Sequence, residues 1–193
     1  MFRFSRPAKA EIERFLAAQD RAPFSYPEVG ASRNKTAPHG YTVDHNRALL
    51  GSGEGAFERA KAAIREWRMF DFPWLELCFP DTPIEPGKTV AVLASHFGFW
   101  SLNPSRIVYV VDEAEPLRRY GFAYGTLRGH AELGEERFTV EHQPEDSVWY
   151  DILAFSRPSP LVRLANPIAR QMQRRFQRDS MNAMQRAVAR NRS

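Results

Sequence analysis

The chain of 193 residues is 43% hydrophobic and 12% aromatic with a net charge of +4, enough apolar material for one domain with a sizeable core, which excludes a wholly disordered protein. Its apolar runs, such as 90–94, are strand-sized, too short to cross a bilayer as a helix, and no basic and apolar leader follows Met1. The single cysteine, Cys78, makes neither an internal disulfide nor a thiolate cluster, so a reducing cytoplasm is the expected location.

Ser5 and Pro7, followed by Ile12, Phe15 and Leu16 at helical spacing, predict a capped amphipathic helix ending near Ala18. A proline- and glycine-punctuated connector then runs to residue 40. Tyr41, Val43, Leu49 and Leu50 predict a first strand, which glycines 51, 53 and 55 break to open a second helix with Phe57, Ala60, Ile64 and Trp67 on one face. That glycine cluster lacks the Lys-Ser/Thr of a phosphate loop and the spacing of a dinucleotide fingerprint; it reads as a strand-to-helix turn. Six β-rich runs follow, at 70–78, 90–96, 106–111, 118–124, 135–142 and 148–155. Their short connectors predict antiparallel hairpins, and the lack of crossover helices argues against a parallel doubly wound sheet. The last element is a helix over about 166–190, on the order of 35 Å long, with Ile168, Met172, Phe176, Met184 and Val188 on one face.

The order of strand, helix, six strands and long C-terminal helix resembles the helix-grip superfamily of START lipid-transfer domains, birch-pollen-allergen-like proteins and polyketide cyclases. The segments 53–70 (GEGAFERAKAAIREWRMF), 96–113 (HFGFWSLNPSRIVYVVDE), 120–138 (YGFAYGTLRGHAELGEERF) and 147–157 (SVWYDILAFSR) resemble an uncharacterised domain-of-unknown-function family of short bacterial and plant proteins. The resemblance implies an α+β helix-grip fold: a curved antiparallel sheet of about seven strands wrapped on the C-terminal helix, with an apolar cavity between them. The N-terminal helix and connector, residues 1–40, are extra, and a single domain spans 1–193.

A hairpin register pairing His142 with Val148, Val140 with Tyr150 and Phe138 with Ile152 gives one nearly apolar face, taken as the inner one. Arg137, Thr139, Glu141 and Asp151 then face outward. The same parity puts Phe122 and Tyr124 inside, with Gly121, Ala123 and Gly125 outside, and turns Arg106, Val108 and Val110 inward. The expected cavity is aromatic, with Tyr124, Tyr150, His142 and Arg106 as its polar ends and Phe176 of the C-terminal helix over it. Taken singly, each of these reads as an ordinary core residue. The segment 96–105, with His96, Trp100 and Asn103, either closes over a ligand or plugs the fold, and the polar loop 126–134, with Arg128, His130 and Glu132, is either a pocket rim or a solvated turn. Trp100 and Trp149 are expected near the cavity.

The five histidines show no helical metal-binding pair, Ser95 and His96 face opposite sides of a strand, and no GxSxG elbow is present. Neither a metal nor a cofactor is expected. Residues 157–193 hold nine arginines against one acid, Asp179, but with no helix-turn-helix or RNP-like signature nucleic-acid binding is not expected. The leading expectation is a module that binds a small apolar or amphipathic ligand. Two alternatives stay open: a cyclase- or hydrolase-like enzyme using His142, Tyr124, Tyr150 and Arg106, and an interaction module presenting its arginines to nucleic acid or acidic partners.

Overall fold

The computed structural model describes residues 2–34, 38–96, 98–159 and 166–190. Their order is β1 (Phe2–Arg3), α1 (Lys9–Gln19), β2 (Thr42–Ser52), α2 (Glu54–Arg65), β3 (Leu75–Cys78), β4 (Thr89–His96), β5 (Phe99–Glu113), β6 (Arg118–Thr126), β7 (Glu132–His142), β8 (Ser147–Pro158) and α3 (Asn166–Arg190). Seven strands form an open antiparallel sheet in the order β2-β8-β7-β6-β5-β4-β3, and the two-residue β1 adds to β5. None of the described helices is long and apolar enough to cross a membrane.

Side chains alternate across this sheet, and the two faces are covered differently. On the inner face, Phe122, Phe138, Val140, Val148, Tyr150 and Ile152 pack against Phe57, Ala60 and Ile64 of α2, Trp67 and Phe70 beyond it, and Met184 and Val188 of α3. On the outer face, α1 lays Ile12, Phe15 and Leu16 against Ala91, Leu93, Leu102 and the buried Cys78. The connector after α1 covers the rest: the Glu135 carboxylate accepts hydrogen bonds from Tyr26 Oη (2.6 Å), the Gly30 and Ser32 amides (2.7 and 3.0 Å) and the Ser32 hydroxyl. Tyr26 packs against Gly125, where a Cβ would meet its hydroxyl at 2.1 Å, so the strand needs a glycine there.

The β7–β8 register is the expected one, His142 to Val148, Val140 to Tyr150 and Phe138 to Ile152. The glycine cluster after β2 does open α2, with Gly53 at φ +82° as the turn. Three expectations are corrected. Helix α1 begins at Lys9, capped by Ala8 with no side-chain hydrogen bond, so Ser5 is not its cap. The run 70–78 is a 3-10 turn, Arg68–Phe70, followed by a four-residue strand, because Phe70 and Phe72 turn into the core. Segment 99–105 is the first half of β5 and not a loop. Its alternation was hidden because the inward positions Ser101, Asn103 and Ser105 are polar.

Candidate functional site

The inner face divides into two parts. Under α2 and the second half of α3 it is solid, with Phe122, Phe138, Tyr150, Ile152 and Met184 all fully buried. Under the first half of α3 a cavity of about 360 Å³ opens, walled by Leu75, Val92, Ala94, Ala154, Met172 and Phe176 and floored by polar side chains.

That part of α3 is held to β2 and β8 by polar contacts, while Phe176 packs against Phe70, Phe72 and Phe138. Arg170 donates to both carboxylate oxygens of Asp44 (2.6 and 2.9 Å), Gln173 donates to Ser156 Oγ (2.9 Å), and Gln177 accepts from Asn46 (2.8 Å). One turn further on, the Tyr150 and Ser180 hydroxyls share a 3.0 Å hydrogen bond. These positions recur at three- and four-residue steps, so one stripe of α3 faces one sheet edge. The helix thus spans the cavity without filling it.

The polar end of the cavity is acidic. Glu132, Glu136 and Asp44 line it, with Asn103, Ser105, Thr126 and His130. Burial pushes the Glu136 carboxyl up to about 7, opposed by a 2.9 Å hydrogen bond from the Tyr124 hydroxyl to its Oε2. Burial likewise raises Glu132 to about 7 against the pull of Arg170 and of a hydrogen bond with Ser156. His130 is pushed down to about 4 by burial and stays neutral, its Nδ1 2.9 Å from the Glu132 amide nitrogen and 3.0 Å from the Glu132 carbonyl oxygen. Asn103 ties the floor to the loop after β6: its Nδ2 donates to Ser101, and its Oδ1 accepts from the Ala131 amide at 3.3 Å.

Of the eight residues singled out from the sequence, this cavity brings together Asn103, Tyr124 and Phe176. Tyr150 is inward but sealed in the core, its hydroxyl spent on Ser180. His142 is inward too, yet lies at the opposite end of the sheet, stacked on Phe57 of α2 and bonded to Asp146 at 2.8 Å. Trp100 faces outward and packs with the α1 cluster. The side chains of His96 and Ile168 lie outside the described residues.

Arg106 corrects the expectation most clearly. A bulge between Ile107 and Tyr109 shifts the β5–β6 register, leaving Ile107 and Val110 inward and Arg106 outward, where it donates to the Gln19, Asp20 and Ala22 carbonyls at the end of α1. The loop residue Arg128 is exposed, whereas His130 and Glu132 line the cavity. Trp149 lies on the outer face under Arg47; Trp74 lines the cavity instead. The sequence reading missed Asp44, Trp74 and Glu136. Glu136 was within its reach, since it shares the parity of Phe138 and Val140. Asp151 is outward, as expected, but buried, paired with Arg137 at 3.2 Å and His45 at 2.6 Å.

Residues 25–183 match the domain of unknown function DUF1990. The chain belongs to this family. Two full-length relatives agree with that membership: a UPF0548 protein of Dictyostelium discoideum is 34% identical, covering 99% of this chain and 97% of its own, and a UPF0548 protein of Deinococcus radiodurans is 39% identical, covering 97% and 99%. Among solved structures, a norcoclaurine synthase point mutant of Thalictrum flavum, in complex with a transition-state analogue, is similar in fold. Its TM-score is 0.50 at 14% identity, with 82% of this chain and 100% of that one covered. This family member therefore has the helix-grip arrangement that its element order implied.

Proposed function

We propose that the protein is a binding module for a small apolar or amphipathic molecule, held between the sheet and the first half of α3. The observation that carries this reading is the cavity of about 360 Å³ with apolar walls and a polar floor, a size and composition typical of small-molecule sites. The polar docking of α3 supports it, because contacts to Asp44, Asn46 and Ser156 help to hold the helix where it spans the cavity. A catalyst built on His142, Tyr124, Tyr150 and Arg106 is not supported, since only Tyr124 lines the cavity. An arginine-presenting role is weakened as well: Arg170 is paired with Asp44, Arg175 and Arg178 with Asp179, and Arg186 donates to the Asp71 carbonyl. The lone Cys78 supports a reducing compartment such as the cytoplasm.

Native mass spectrometry of the protein purified from its own host tests the reading. A small molecule that stays bound in the native spectrum and leaves on denaturation is the expected result. The Met172→Trp variant, which puts a larger side chain over the cavity, is expected to lose that mass while keeping a cooperative thermal transition. Retention of the same mass by this variant would place the ligand elsewhere.

A further inference from the structure

We propose that the molecule held in this cavity carries an ammonium group on an apolar body, and that Glu136 and Glu132 receive the ammonium group. The inference rests on the cavity reading above and names the chemistry of its ligand. Carboxyl groups from two strands face the cavity from the sheet: Asp44 of β2, and Glu132 and Glu136 of β7. One guanidinium approaches them, Arg170 of α3, and both of its terminal nitrogens are engaged by Asp44. Among the described residues neither Glu132 nor Glu136 has an ion-pair partner, Tyr124 of β6 offers Glu136 a neutral hydroxyl, and His130 is an uncharged imidazole.

Carboxyl groups out of water and without a counter-charge are costly to ionise. A ligand cation lowers that cost by supplying both the charge and the N–H donors. A carboxylate or phosphate ligand would meet two carboxyls and no available cation, so anions are disfavoured by the same geometry. A metal ion fits less well, because no group of three potential metal ligands converges among the described residues. The hydrocarbon part of the ligand would lie along Val92, Ala94, Ala154, Met172 and Phe176. Because an alkylammonium holds its proton across the range in which these carboxyls titrate, its affinity falls as they are protonated, while that of a neutral alcohol does not.

Isothermal titration calorimetry on the full chain with octylamine, octanol and octanoate, at about pH 6 and about pH 8, tests this. A carboxyl titrating near 7 gives octylamine an affinity about tenfold weaker at the lower pH. Octanoate is expected to bind least well, and in Glu136→Gln the preference of octylamine over octanol is expected to fall to about one, with a thermal melt showing that the variant is folded. Octanol or octanoate binding as tightly as octylamine, or an octylamine affinity unmoved by pH in the wild-type protein, overturns the ammonium assignment and leaves the cavity reading standing. Failure of all three probes to bind overturns both.

Discussion

The hydroxyl of Tyr26 donates a 2.6 Å hydrogen bond to the Glu135 carboxylate, joining the connector after α1 to the outer face of β7. Around the same carboxylate converge the Gly30 and Ser32 amides and the Ser32 hydroxyl. Connector and sheet are therefore fastened at one side chain. Glu135→Ala leaves several buried donors without an acceptor and is expected to destabilise the protein by about 3 kcal/mol, and Tyr26→Phe by about 1.5 kcal/mol. Urea denaturation measures both. A Glu135→Ala effect no larger than that of Tyr26→Phe would mean that the amides find other partners.

Gly125 carries the second prediction. A Cβ there would lie 2.1 Å from the Tyr26 hydroxyl and 2.9 Å from two ring carbons, so Gly125→Ala must push the ring away from Glu135. Destabilisation of about 2 kcal/mol is expected, and much of it should disappear when the substitution is made in a Tyr26→Ala background. Additivity of the two changes would contradict the steric account.

Stability should depend on pH through the cavity acids. The folded state raises Glu132 and Glu136 from near 4.5 to about 7, so it holds their protons more tightly than the unfolded chain does. Their contribution is fully present below about pH 4.5 and is lost as pH rises through about 7. His130 acts in the opposite sense: lowered from 6.5 to about 4, it contributes fully above about 6.5, and that contribution is lost as pH falls through about 4. Relative to a Glu132→Gln/Glu136→Gln double variant, the wild-type protein is expected to lose stability between about pH 5 and about pH 8. A urea midpoint difference that stays constant over this interval would count against buried carboxyls.

Arg106 separates packing from binding. Its guanidinium accounts for three carbonyls at the end of α1, and Arg106→Ala is expected to cost about 1–2 kcal/mol and to speed amide exchange in α1. Retention of the cavity ligand in the same native mass spectrum is the expected companion result. Loss of the ligand with α1 intact would return Arg106 to the binding site.

These cases also mark what the sequence could disclose. Strand pairing from β6 to β8 was readable because Phe122, Phe138, Val140, Tyr150 and Ile152 alternate cleanly with polar or small residues. The direction of Arg106 was not, because one bulge residue reverses parity and leaves no compositional mark. The cavity itself was half legible. Its helix-side wall at Met172 and Phe176 follows from periodicity, whereas its acidic floor depends on Asp44 and Glu132 meeting from strands far apart in the chain. Apolar patterning finds the packed end of such a sheet more readily than the open end, where inward positions are polar.

Cys78 lies beneath α1 with its thiol pushed up to about 12 by burial, so at neutral pH almost no reactive thiolate exists while the helix stays docked. The side chain is thereby a built-in clock. Alkylation, followed as a single mass increment, registers only the molecules in which α1 has lifted from the sheet, and its rate counts those openings without any added label.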